Sequence, residues 1–535
     1  MIKSARLKVK NFGYVGEGKI ELAPITVLIG PNNTGKSYTA MLLYALIKSS
    51  QRIIKTVKFP LIGSVLVKDL EKSSLGSFVY EYLEKLRKIY QNSINKSKNR
   101  QKIEELNKTL KEFTERSIEL YRIELNKELN SKNYKELVIT ETERVFSSRL
   151  TDLVRRESNE MNAELELEGE FFKLSYDLKV SIPKPGVEQD AYVDLNITLT
   201  PKTGIILKNL EKDIVIRSSR FYRYIYFYLR RSAKEPILRF LFDIIYEIYA
   251  LLYEALEKDF IDFDIRYFPA SRAGILHSYR TVAHALIKSV PEMPIRGAEI
   301  PRVPGILADF LAELISLEPR TGAGDELKEV SGLLEEVLEG SIELVRRGDI
   351  SLPEPVYRSK EFEFSLPNVS SMIAELSPLD LYLKYGLIRK NDILIIEEPE
   401  AHLHPDKQAR LVEVLALLAK RLGVKVIITT HSDVILTKLS NLVMAGYTDA
   451  SGFRVVLKPE DVKVYSFSRG EGFSIIEEVK VSEMGIPDDV FRKIVEELYE
   501  EHMNLYYRIQ MIKAEGEALG GKDSEDQKCE DNSST

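Results

Sequence analysis

Cysteine is almost absent from this chain of 535 residues: the single thiol is Cys529, in a polar C-terminal stretch. Disulfides within a monomer and cysteine-based metal clusters are therefore excluded, and a reducing compartment fits. Long hydrophobic runs are missing too. The most apolar helical stretch, 240–256, carries Asp243, Glu247 and Glu254. A bilayer would penalise those charges, so the stretch reads as a buried or partner-facing helix and no membrane association is expected. Residues Met1 to Arg6 lead straight into a charged strand without an apolar signal segment, and the expected location is the cytoplasm. Charge of one sign is not in excess: a net charge of −6 argues against a polycation that grips nucleic acid everywhere and leaves room for local patches. No internal repeat is present.

What is present is a globular composition. Apolar residues at 44% and charged residues at 30% support at least one sizeable core, and the length allows about two to four domains.

Gly30-Pro31-Asn32-Asn33-Thr34-Gly35-Lys36-Ser37 fits the pattern G-x-x-x-x-G-K-[ST]. It follows a continuous apolar run, Ile25–Ile29, and precedes helical spacing over 38–47. That strand–loop–helix context is what a phosphate-binding loop requires. Gly30 and Gly35 let the backbone curl so that successive N–H groups face phosphate oxygens, and the helix N-terminus adds partial positive charge. Lys36 would neutralise phosphate charge, and the Ser37 hydroxyl would ligate Mg²⁺.

Far downstream, the apolar run 393–396 ends in Glu397-Glu398-Pro399-Glu400-Ala401-His402-Leu403-His404-Pro405. Ligands of open α/β sheets bind at the C-terminal ends of such strands. Glu397 is the candidate for holding magnesium, directly or through water, and Glu398 the candidate general base that polarises the attacking water. Thr429-Thr430-His431-Ser432-Asp433 closes the next apolar strand, where His431 can hydrogen-bond the γ-phosphate or that water. His402 and His404 read as packing and dimer contacts in preference to a metal pair. Two halves of one ATP site this far apart imply a large insertion threaded through an ATPase head.

The resulting expectation is an α/β fold, a P-loop head split by a helical arm with a small antiparallel β-subdomain. Residues 1–50 form the N-terminal part of the head. Residues 51–260 form the arm, with Leu83, Leu86, Ile89, Ile103, Leu106, Leu110 and Phe113 along one face, and a β-subdomain at 164–215 where apolar residues alternate. Residues 261–360 hold a return segment around Pro269-Ala270-Ser271-Arg272 and a helical insertion. The head resumes over 361–512, and 513–535 is a disordered tail.

Lys10-Asn11-Phe12, the glycine-rich loop, the Glu-Glu-Pro-Glu-Ala-His-Leu-His-Pro run and Thr-Thr-His-Ser-Asp together resemble ABC-class ATPases of the SMC-like and OLD-type branch, a group of AAA-domain ATPases. The resemblance covers 1–50 and 361–445. It implies a head-to-head homodimer with two ATPs between the heads, each completed by a signature serine of the partner. The matching stretch, 369–376, offers Ser370 and Ser371, with Met372 where a glycine is usual, which fits slow hydrolysis. An ordinary helix N-cap at either serine is the alternative, and Pro378 would kink or end that helix. Arg272 either reaches the nucleotide or partner head, or is structural. Some OLD-type relatives carry a Toprim nuclease; here Asp488-Asp489 reads as a helix cap and no such domain is expected. Two basic stretches bear on nucleic acid: Lys85, Arg87, Lys88, Lys96, Lys98, Arg100 and Lys102, and the aromatic-rich 217–239. They would suit DNA or RNA, although solvated faces and core aromatics read the same way. The implied function is Mg²⁺-dependent ATP hydrolysis coupled to nucleic-acid repair or antiviral defence, with an ATP-dependent switch for an effector protein as the alternative. A transporter subunit is disfavoured by the missing Leu-Ser-Gly-Gly.

Overall fold

The computed structural model describes residues 2–57, 74–94, 99–183, 191–208, 234–277, 303–318, 325–346, 353–448, 452–487 and 499–513. In chain order, β1 (Ser4–Phe12), β2 (Val15–Glu21), β3 (Ile25–Ile29) and α1 (Lys36–Thr56) come first. Helices α2 (Ser74–Ile94), α3 (Asn99–Leu129) and α4 (Lys132–Phe146) follow. Next are β4 (Glu160–Glu168), β5 (Phe172–Ser181), β6 (Tyr192–Pro201), α5 (Lys234–Phe260) and β7 (Ile265–Phe268). The second half contains α6 (Gly305–Ile315), α7 (Asp325–Leu338), β8 (Ser341–Val345), β9 (Glu354–Arg358), β10 (Glu363–Ser365) and α8 (Ser371–Lys384). It ends with β11 (Ile393–Glu397), α9 (Pro405–Leu422), β12 (Lys425–Thr429), α10 (Asp433–Ala445), β13 (Val462–Arg469) and β14 (Ser474–Val479).

One sheet of eleven strands, ordered β6-β5-β4-β1-β2-β14-β13-β3-β12-β11-β7, organises the molecule. From β13 to β7 all pairings are parallel. Parallel strands covered on both faces read as continuous apolar runs, and β3, β11 and β12 do so because each feeds two cores. Ile25, Val27 and Ile29 face one core with Leu394, Ile396, Val426 and Ile428. Leu28, Ile393, Ile395 and Ile427 face the other, with the apolar side of α1. Burying each such side chain contributes roughly 1.5–3 kcal/mol.

The antiparallel strands expected at 164–215 are present as β4–β6, but they extend the head sheet. β4 pairs with β1, placing Leu165 opposite Leu7 and Ala163 opposite Val9. Both strands alternate in phase, so this register keeps all four residues on the buried face, and a slip of one would expose them. The outer edge, β6, is covered by α3. The Asn126 amide donates to the Leu199 carbonyl and accepts from its N–H, at 2.9 and 2.6 Å, and Asn130 does the same at Ile197, at 2.6 and 3.0 Å. Two amides one helical turn apart thereby pair a strand edge that would otherwise be open.

Within the stretch expected to form the arm lie helices α2, α3, α4 and α5. Leu83, Leu86 and Phe113 are buried, Phe113 stacks on Phe78 with centroids 5.0 Å apart, and Tyr121 of α3 meets Tyr249 of α5. The side chains of Ile89, Ile103, Leu106 and Leu110 lie outside the described residues. The apolar stretch 240–256 falls in α5, with Ile245, Ile248, Leu252 and Leu256 in the core. Among the described residues no helix is long and apolar enough to cross a membrane.

Asp259, fully buried in the last turn of α5, accepts the N–H groups of Glu170, Phe171 and Phe172 at 2.8, 2.7 and 2.9 Å. A Cβ on Gly169 would sit 2.2 Å from its carboxyl carbon. Asp259→Ala strands buried donors and is expected to cost about 2–3 kcal/mol. Asp259→Asn keeps one acceptor oxygen and should lose less. Equal denaturation curves for both variants and the parent would dismiss this anchor.

Of the two basic stretches, 217–239 lies outside the described residues apart from the backbone of the first turns of α5. In the first, Lys85 pairs with Glu81 at 2.9 Å and Arg87 with Glu84 at 3.0 Å. Those acids stand just before the stretch, which itself contains no acidic residue. Residues 514–535 and Asp488-Asp489 also lie outside the described residues.

Candidate functional site

The loop 30–37 leaves the buried end of β3 and enters α1. Gly30, Asn33 and Gly35 have φ of 134°, 61° and 94°. At Gly30 a Cβ would approach the Phe467 carbonyl to 2.5 Å, and at Gly35 the Val15 side chain to 2.7 Å. Both glycines are thus required by conformation and by space. Further bonds brace the curl. Thr34 Oγ1 donates to the Pro31 carbonyl at 2.8 Å, Ser474 Oγ to the Thr34 carbonyl at 2.6 Å, and Arg469 to the Asn32 carbonyl at 2.8 Å. No acidic residue occupies the first turn of α1, so its positive end is uncompensated.

A cavity of about 440 Å³ lies in front of the loop, lined by Tyr14, Asn32, Asn33, Thr34, Gly35, Lys36, Ser37, Tyr38, Glu398, Thr429 and His431. Lys36 Nζ donates to the carbonyls of Gly30 and Pro31 at 2.9 and 2.8 Å. Burial pushes its ammonium down to about 8, with Glu398 opposing and Arg469 adding to the shift. A bound phosphate needs the charged form, which is lost as pH rises through about 8. ATP affinity is expected to fall about tenfold between pH 7 and pH 9. A titration of nucleotide Kd that is flat over this range would contradict that.

Glu397 and Glu398, adjacent in sequence, are placed differently. Glu398 is exposed to the cavity and has φ of 42°, left-handed for a residue with a side chain, which costs about 1–3 kcal/mol. Its N–H donates to the Thr429 carbonyl at 2.9 Å. Glu397 is half-buried and does not line the cavity. Its Oε2 accepts the Ala270 N–H at 3.1 Å, and with burial it raises the Tyr267 phenol well above its ordinary value.

His431 lines the cavity, its imidazole pushed down by burial and by Lys36 against the pull of Glu398 and Glu400. Glu400 is a site residue the motif analysis left without a role. Its Oε1 accepts the Thr430 hydroxyl at 2.8 Å and the His431 N–H at 2.7 Å, and thereby fixes the turn that presents His431. Tyr14 was also missed. It is exposed in the β1–β2 turn at the cavity edge, where its ring offers a stacking face. Its closeness to Lys10-Asn11-Phe12 was the available signal.

Ser370 and Ser371 are not brought to this cavity. Ser370 is the N-cap of α8, its Oγ accepting the Ile373 N–H at 3.5 Å, and both serines are exposed. Met372 packs partly against the core. Pro378 does not end the helix, which continues to Lys384. Arg272 is buried, with its guanidinium on main-chain carbonyls at the end of β11. Of the two alternatives for Arg272, the structural one holds. His404 is the N-cap of α9 and its Nδ1 lies 2.5 Å from Asp406; His402 is exposed, with φ of 61°.

A family described as an AAA ATPase domain matches residues 1–273 and 319–436. No curated protein matches. Solved structures that match the chain include the SMC head domain from Thermotoga maritima, 12% identical, covering 89% of this chain and 98% of that one, TM-score 0.35. A second is the Smc head domain with an extended coiled coil bound to the C-terminal domain of ScpA, derived from Pyrococcus furiosus. It is 11% identical, with 94% and 100% coverage and a TM-score of 0.36.

Proposed function

The chain belongs to the AAA ATPase domain family, and from that premise we propose that it hydrolyses ATP with Mg²⁺ as a homodimer and couples turnover to DNA or RNA. One observation carries the reading: Lys36, Ser37, Glu398 and His431, from distant parts of the chain, line one cavity at the positive end of α1.

Each group has a task. Backbone N–H groups of the loop and Lys36 hold the β- and γ-phosphates. The hydroxyl of Ser37 and, through water, the carboxylate of Glu397 are hard oxygen donors suited to Mg²⁺, which supplies charge neutralisation at the phosphates. Glu398 takes a proton from the attacking water as it adds in line to the γ-phosphorus, and ADP leaves. His431, kept neutral at pH 7, hydrogen-bonds the water or the transferring oxygen. Tyr14 stacks on the base.

The exposed start of α8 supports the dimer. Ser370 and Ser371 sit at an exposed helix N-terminus that does not line this cavity, an arrangement suited to a γ-phosphate held by a partner. A second reading, a slow switch that scaffolds an effector protein, is favoured by Met372 in that segment. Steady-state ATP turnover with and without duplex DNA, single-stranded DNA and RNA separates them. Stimulation by one nucleic acid supports the motor, whereas near-zero turnover with ATP-dependent dimerisation supports the switch.

A further inference from the structure

A buried guanidinium ties the end of β11 to α8. Arg272 is 2% exposed and its partner Glu375 3%. Arg272 donates to the carbonyls of Glu397, Glu398 and Pro269 at 2.7, 3.2 and 3.2 Å. Its Nε donates to the Glu375 carbonyl at 3.0 Å and lies 2.7 Å from the Glu375 carboxylate. Segments that follow β7 and β11 and the first turns of α8 therefore converge on one planar fork.

We propose that Arg272 is a positioning residue for hydrolysis: it holds the left-handed turn that aims Glu398 into the cavity and, through Glu375, makes that turn respond to the N-terminus of α8. The proposal rests on Glu398 being the general base. Glu398 has no intrinsic preference for positive φ, so the turn persists only because its surroundings impose it. A cation drawn to the two consecutive carbonyls at 397 and 398 does that directly. Glu375 stands one helical turn after Ser371, on the same face. When a phosphate held by a second copy engages the exposed serines, α8 shifts along its axis and carries Glu375 and the guanidinium with it. Each subunit's hydrolytic glutamate is thus tied to the serines it lends to the other nucleotide. Lysine would keep the charge but not the fork.

The test uses the full chain with Arg272→Lys, Glu375→Gln and their combination. It measures ATP kcat and KM, Kd for a non-hydrolysable ATP analogue, and the melting temperature. We expect kcat to fall about tenfold or more in each single variant with KM and Kd nearly unchanged, and the combination to be no slower than the slower single. A support role alone would lower the melting temperature and leave kcat per nucleotide-binding site at the parental value, which would overturn the proposal. Should Arg272→Lys fail to fold, parental kcat in Glu375→Gln is sufficient to overturn it. Failure of the underlying reading looks different. In that case Glu398→Gln itself still turns over, whereas failure of the proposal leaves Glu398→Gln inactive and Arg272→Lys at full rate.

Discussion

Glu398→Gln is expected to bind ATP at least as tightly as the parent and to hydrolyse it about 10²–10⁴-fold more slowly. The amide has nearly the shape of the carboxylate, so the turn at φ of 42° and the bond from its N–H to Thr429 survive. What disappears is the acceptor for the water's proton. The lost negative charge had also been raising the proton affinity of Lys36, so the fall in affinity with pH should begin at lower pH in this variant. Single-turnover hydrolysis alongside equilibrium nucleotide binding reads both effects. Turnover within tenfold of the parent would remove Glu398 from the mechanism and make Glu400, the nearest other carboxylate to His431, the next residue to test.

Asp392→Ala is expected to cost about 3–5 kcal/mol of stability, as removal of one member of a buried ion pair does. Asp392 is fully buried just before β11. Its oxygens accept Arg266 Nη1 and the N–H groups of Asp264 and Arg389, each at 2.8 Å. Burial raises its carboxyl while Arg266 and those N–H groups pull it down. Alanine leaves Arg266 with Asp264 at 3.2 Å and Glu313 at 3.8 Å, a weaker set, and leaves two main-chain donors unpaired. Because this cluster joins β7 to β11, the damage should reach the site, and nucleotide should restore part of the lost stability by mass action. Thermal melts with and without ATP measure both. A shift worth less than about 1 kcal/mol would place the pair among those that add little.

The glycine-rich loop and the Glu397-Glu398 strand end were legible because their signals are local. A glycine at φ of 134° or a run such as Ile25–Ile29 carries its own signature. Partners distant in sequence were not legible. Nothing near Leu165 announces that it will face Leu7; alternation tells which side chains share a face but not which strand lies alongside. Arg272 could be assigned only once packing showed four carbonyls around it. The acid-free window from Lys85 to Lys102 looked more basic than it is because a helix pairs residues three and four apart, and Glu81 and Glu84 fall just outside it. Glu397 and Glu398 differ by one position: the first, the last residue of β11, accepts from Ala270, and the left-handed turn that follows sends the second into the cavity.

The pairing of β4 with β1 also governs how this chain can be edited. The long insertion is not a removable cassette. Cutting the chain near residue 51 and rejoining it near 260 would take away three strands of the head's own sheet and leave β1 with a bare row of N–H and C=O groups. Such an edge invites pairing with other chains. Arms of other lengths are better grafted between α2 and α3, where no strand is interrupted and a change of length leaves every rung of the ladder in place.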